Sequence, residues 1–209
     1  MLRYLETLIS TYASSLLTCL LQVVGVGEAK ASIEPARLLH VDYTRQGLAD
    51  AVRYARKDIA AAASAALKAE DEGRTGKDVP RYAAYGVWRP LAPVQRDPLA
   101  VCDWRTVDQS WDVHPGFNRV TSEVNENGEY HGELYTAAPP KKDEAGNYRQ
   151  RWYFMKEQTN EDVLLLKFAD SDPTKQAQHC IHGSPILLDS PDDAPPRESL
   201  EVRVLALFD

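Results

Sequence analysis

The chain predicts a mainly β fold of the sheet-on-sheet kind, a double-stranded β-helix (a cupin-like jelly roll) with one long surface helix and an N-terminal helix. Three observations carry that expectation. Short strand-like runs recur between Gly and Pro turns. A single alanine-rich stretch has strong helical character. No Gly-rich phosphate loop, internal repeat or heptad pattern points elsewhere. With 209 residues, 44% of them apolar, the chain is long enough for one well-filled domain. The expected division is an N-terminal helical segment, 1–35, followed by one domain over 36–209.

In order along the chain, Leu2, Leu5, Leu8 and Ile9, then Leu16, Leu17, Leu20 and Leu21, recur at helical spacing and predict a packed N-terminal helix. The run Tyr12 to Gly27 is also apolar enough for a signal-peptide core, with Ala29-Lys30-Ala31 as a small-residue cleavage site. Against that, only Arg3 precedes it and Glu6 opposes it, and the run is too short and too polar at its start for a membrane span. After Pro35, Arg37 to Tyr43 reads as a short strand. Gly47 to about Glu72 is rich in helix formers and ends at Gly73, a surface helix. Arg81 to Leu91 returns to aromatic and β-branched residues, a strand ending near Arg89 because Pro90 cannot continue it. Pro90, Pro93 and Pro98 punctuate a loop before a short strand at Leu99 to Trp104. Over 119–137 two strand-like runs flank Asn127-Gly128, a hairpin signal. A turn at Asp143 to Asn147 leads into a strand at Tyr148 to Met155, and Asp162 to Asp170 follows as a buried strand. Residues 176–184 read as a proline-bounded loop, and Arg197 to Phe208 as the last strand.

A net charge of -7 and a pI near 5.3 disfavour nucleic acid, since the phosphate backbone rewards clustered Lys and Arg and the longest basic group is Lys141-Lys142. Cys19, Cys102 and Cys180 are too few and too odd for a disulfide framework, and no CxxC pair suggests a zinc ribbon. A reducing, cytoplasmic compartment fits that usage, with a small-molecule substrate and neither nucleic acid nor membrane as partner.

His40-Val41-Asp42 is the local signature of chemistry. Residues two apart on an extended segment point to one side, so both side chains can reach one metal ion. Alone, the pair is near chance frequency. A two-histidine, one-carboxylate iron site needs a second histidine, for which His182 is the candidate and His179, three residues earlier, the alternative. Arg197 follows His182 by 15 residues and opens the last strand with Ser199 two positions on. Such a set would leave room on Fe(II) for a bidentate 2-oxo acid, with Arg197 gripping its distal carboxylate and the Ser199 hydroxyl adding a hydrogen bond. Arg203 lies on the same strand face but about 20 Å along it, too far for that carboxylate. Arg89 is a second anion-binding candidate. Trp88, Tyr85 and Trp152 read as core or pocket wall.

Several blocks then resemble a known family: HVD at 40–42, VWRPL at 87–91, PLAVCDWRTV at 98–107, DVLLLKFADSD at 162–172 and DAPPRESLEVRVL at 193–205. They are similar to the fungal hydroxylase/desaturase (AsaB-like) family, related to gibberellin desaturase and the 7-alpha-cephem-methoxylase component, over residues from about 36 to the C-terminus. The resemblance implies Fe(II)- and 2-oxoglutarate-dependent hydroxylation or desaturation of a small molecule in secondary metabolism, on a jelly roll. It implies His40, Asp42 and His182 as iron ligands and Arg197 as the co-substrate anchor. Family members have a longer region before the HxD pair, which only 39 residues precede here. That departure raises two expectations: a homo-oligomer or partner chain completing the short N-terminal region, or a jelly-roll binding protein without turnover. A redox-neutral metal-dependent isomerase or lyase on the same scaffold is the remaining alternative.

Overall fold

The computed structural model describes residues 17–24, 34–54, 56–110, 112–117, 133–191 and 193–208. Ten strands, three short α-helices and one 3-10 helix (Trp104–Thr106) make up the regular structure of these residues. The strands form two sheets in which every neighbouring pair is antiparallel. One sheet is four-stranded, ordered β1 (Leu17–Val24), β10 (Ser199–Phe208), β3 (Arg81–Pro90) and β8 (Leu164–Asp170). The other is six-stranded, ordered β5 (Val113–Phe117), β6 (Glu133–Ala137), β2 (His40–Val41), β9 (His182–Gly183), β4 (Ala100–Cys102) and β7 (Trp152–Phe154).

The helical reading of the N-terminal leucines fails over Leu17–Val24, which instead runs in register along β10 from Leu17↔Ala206 to Val24↔Ser199. Leucine tolerates either structure, and Thr18, Val23 and Val24 suit a strand. The open edge of β10 supplies the backbone partners that an isolated helix turn would have to find for itself. The rest of that expected helix, residues 1–16, lies outside the described residues.

The single helix expected to about residue 72 is three: α1 (Arg45–Tyr54), α2 (Lys57–Ala62) and α3 (Ser64–Asp71). Thr44 caps α1, its hydroxyl accepting from the Gly47 N–H at 2.9 Å. Arg56, extended at φ -152, separates α1 from α2. The break has a packing reason. Arg45 and Arg53 of α1 both reach Glu70 of α3, at 3.5 and 3.8 Å. An unbroken helix would hold residues 45 and 70 roughly 38 Å apart. Folding back lets Leu48, Val52, Ile59, Ala63 and Ala66 join one core with Tyr82, Ala84, Trp88, Leu166 and Phe168. Gly73, at φ +66, ends α3 as expected, with its N–H and that of Arg74 bonding the Glu70 and Ala69 carbonyls.

Among the remaining strands, β5 was not foreseen, and its Pro115 is tolerated because β5 is an edge. The Asn127-Gly128 turn lies outside the described residues. The turn at Asp143 to Asn147 is present, closed by Asp143 N–H to Asn147 O at 2.8 Å. The expected loop at 176–184 contains β9, a two-residue strand seated between β2 and β4. Alternation within the six-stranded sheet sends Val41 and Ile181 into a second apolar cluster with Cys102, Val107 and Val113. The same alternation turns His40 and His182 the opposite way, toward the four-stranded sheet.

No helix of the described residues is long and apolar enough to cross a membrane.

Candidate metal centre

β2 and β9 pair so that His40 and His182 are register partners, with ring centroids 4.6 Å apart. Asp42 follows β2 directly. One ligand atom from each of His40, Asp42 and His182 lies within 4.8 Å of the others, the one such group of three among the described residues. Each histidine is oriented from behind in the same way. His40 Nδ1 lies 2.7 Å from the Leu38 carbonyl and His182 Nδ1 lies 2.9 Å from the Cys180 carbonyl, each two residues back. A carbonyl can only accept, so both Nδ1 atoms carry the proton and both Nε2 lone pairs are free.

The carboxylate is divided between two tasks. Arg203 donates to Asp42 Oδ1 at 2.6 Å. Asp42 Oδ2 is buried and has no hydrogen-bond partner, although His182 Nε2 lies 3.2 Å away. That contact has ion-pair distance without hydrogen-bond alignment. An orphaned carboxylate oxygen beside two free imidazole lone pairs is costly unless something cationic is shared between them, and an N/N/O donor set fits one divalent transition metal. Burial alone would raise the Asp42 carboxyl. The adjoining His182 and the Arg203 charge outweigh it and hold the group at about 2. Burial lowers His40, helped by the charge of His182. His182 is raised: burial opposes its charge, but Asp42 prevails.

His179 does not join this group. Its ring packs 5.5 Å from Tyr135, its Nε2 is buried without a hydrogen bond, and burial pushes its imidazole down to about 4.

The three residues open on a cavity of about 160 Å³ whose lining includes Trp88, Ser184, Arg197, Glu201 and Arg203. Arg197 lies just before β10, its guanidinium 5.2 Å from the Trp88 ring. Its NH1 donates to the Asp97 carbonyl at 2.7 Å and to the Ser184 hydroxyl at 3.1 Å, leaving Nε buried and unpartnered. Burial lowers it to about 10, so it stays charged at neutral pH. Asp97 adopts φ +55, in the left-handed region that Asp tolerates better than most residues. Arg37 at 2.9 Å and Arg96 at 3.1 Å hold its carboxylate while its carbonyl meets Arg197.

Two expected contributors fall elsewhere. Ser199 is buried at the start of β10, opposite Pro90 and Val24, and does not line the cavity. The alternation that was to align it with Arg197 begins only at Ser199 itself, and Ser184 takes the place beside Arg197. Arg89 alternates with Trp88 along β3, so with Trp88 inward it faces away, where its Nε donates to the Asn160 carbonyl. Arg203, set aside on distance along its strand, reaches Asp42. The signal for it and Glu201 was the alternation Ser199, Glu201, Arg203, which puts all three on one face.

The family model for the oxidoreductase/YMDC permease-like domain matches residues 21–207. Among curated relatives, the chain is 28% identical to oxidoreductase chry3 of Gibberella zeae, over 86% of this chain and 58% of that one. It is 32% identical to hydroxylase/desaturase efuI of Hormonema carpetanum, over 84% and 52%. It is 33% identical to the Fe(II)/2-oxoglutarate-dependent dioxygenase nvfI of Aspergillus novofumigatus, over 82% and 52%. The chain therefore spans about half the length of the curated relatives it matches. In fold it is similar to a solved structure, the iron and alpha-ketoglutarate-dependent endoperoxidase NvfI. The TM-score is 0.70 at 24% identity, covering 99% of this chain and 68% of the other.

Proposed function

The chain belongs to the oxidoreductase/YMDC permease-like domain family, and on that premise, together with its similarity to fungal hydroxylases/desaturases, we propose that it is an Fe(II)- and 2-oxoglutarate-dependent oxygenase acting on a small molecule of secondary metabolism. In this reading the two antiparallel sheets form a double-stranded β-helix, and the centre lies between them. The observation that carries the proposal is the buried, unpartnered Asp42 Oδ2 set among two histidines whose Nε2 atoms are left free by their backbone contacts.

His40, Asp42 and His182 would hold the iron. Arg197 would take the distal carboxylate of the 2-oxo acid, because its charge is kept at neutral pH and its Nε has no other partner. Ser184 and the Asp97 carbonyl fix that guanidinium in the cavity wall, and the Trp88 ring covers it. With the 2-oxo acid and dioxygen, bound iron would supply the oxidising power for hydroxylation or desaturation of a C–H bond, with succinate and carbon dioxide as co-products. The substrate would enter the same cavity, whose lining offers Trp88 and Leu99 as apolar walls beside the charged residues.

Succinate formation from 2-oxoglutarate, measured with and without Fe(II), tests the proposal. Fe(II)-dependent succinate that disappears in His40→Ala supports it, whereas a His40→Ala protein consuming 2-oxoglutarate at the wild-type rate contradicts it.

A further inference from the structure

The geometry points to Arg203 as a positioning residue that occupies Asp42 Oδ1 and so restricts the carboxylate to a single ligating oxygen, Oδ2. The inference rests on the metal reading above and extends it to a residue outside the ligand set. Arg203 is the register partner of Gly86 across β10 and β3, and the Phe168 ring that lies over Gly86 backs its guanidinium. Each of its nitrogens is engaged. NH2 donates to Asp42 Oδ1 at 2.6 Å, NH1 to the Tyr43 hydroxyl at 3.3 Å, and Nε to Glu201 Oε1 at 3.3 Å. The carbon of the guanidinium lies 5.5 Å from the Tyr43 ring and 5.7 Å from the Phe168 ring, so two aromatic faces fix its plane. Three polar partners and two rings leave the group one orientation.

The consequence concerns coordination number. A free aspartate can ligate through one oxygen or chelate through both, and chelation uses an additional position on the metal. A six-coordinate ion with two histidines and a one-oxygen carboxylate keeps three positions, enough for a bidentate 2-oxo acid and one further ligand. A chelating carboxylate would leave two. The charge-assisted bond from Arg203 removes Oδ1 from competition, and the same bond turns Oδ2 toward His182. Glu201 keeps Arg203 from swinging away. Of the three candidate ligands Arg203 bonds only Asp42, and the proposed effect runs through that carboxylate.

Two variants separate this role from packing: Arg203→Lys keeps a cationic donor for Oδ1, and Arg203→Met keeps the stem without one. Each is loaded anaerobically with Co(II) and titrated with 2-oxoglutarate, following the visible ligand-field spectrum. The expected result is a Met protein that binds Co(II) with an altered spectrum and takes up 2-oxoglutarate at least about tenfold more weakly. The Lys protein retains the wild-type spectrum. A Met protein indistinguishable from wild type in both readouts overturns the role of Arg203 while leaving the metal centre standing. Wild-type protein that binds no Co(II) overturns both. Should the Met protein not fold, the infrared difference between Co(II)-loaded and metal-free wild type decides. A wide separation of the two carboxylate stretches, the mark of one-oxygen ligation, supports the role, and the narrow separation of a chelate overturns it.

Discussion

His40 and His182 are register partners on adjacent antiparallel strands, and both lean their Nδ1 atoms on the carbonyl two residues behind. Neither histidine acts alone in this arrangement: the backbone of one strand pair sets the position, tautomer and direction of both. Replacing either by Ala is expected to reduce Co(II) or Fe(II) affinity by on the order of 100-fold or more, measured by calorimetric titration. His179→Ala should bind metal as wild type does, since its ring packs on Tyr135 instead.

The second expectation concerns Arg197. Its loss removes a charged hydrogen-bond donor worth about 1.5–3 kcal/mol, so Arg197→Ala should raise the 2-oxoglutarate concentration needed for half-saturation by roughly 10- to 100-fold while metal affinity stays level. Ser184→Ala, which takes only one neutral support from Arg197, should shift it by no more than about tenfold. Equal losses in the two variants would show that Ser184 does more than orient the guanidinium.

A third test reads the folded chain against pH. His179 is held at about 4 by burial, against an ordinary value of 6.5. Above 6.5 neither the folded nor the unfolded form carries the proton, and the stability from burying a neutral imidazole is fully present. As the pH falls from 6.5 through 4 the unfolded chain binds a proton that the folded one refuses, and about 3 kcal/mol is lost. His179→Asn should remove that part of the acid-side slope in urea unfolding of the metal-free protein. An unchanged slope would mean that His179 protonates freely in the native state.

Fourth, Gly86 makes room for the ring that backs the metal centre. A methyl group there would come within 2.2 Å of Phe168 Cζ, and Phe168 stacks on His182 at 5.7 Å. Gly86→Ala is expected to destabilise the fold by about 1–3 kcal/mol by overpacking and to weaken metal binding in the same protein. Thermal unfolding and Co(II) titration report the two effects separately.

Much of this site was legible before any coordinates. His40 and Asp42 stand two apart on extended chain, and the strand runs that became β3, β8 and β10 are marked by β-branched and apolar residues bounded by Gly and Pro. What the sequence hid has physical causes. β9 is two residues long and inherits its strand character from β2 and β4, not from its own composition. The N-terminal leucines satisfy helical spacing and strand propensity equally, and only the edge of β10 chose between them over Leu17–Val24. Ser184 was missed because its partnership with Arg197 depends on Asp97 at positive φ, a backbone state with no clear residue signature. Arg203 was passed over because distance along a strand says nothing about what the facing sheet brings to it.

The most direct test is an anaerobic Fe(II) titration with and without 2-oxoglutarate, following the weak visible charge-transfer band of the chelate. The expected result is one equivalent of iron per chain, a band that needs both components, and its loss in His40→Ala and Asp42→Asn. No band in the wild-type protein, or one that survives both substitutions, would contradict a centre built on His40, Asp42 and His182.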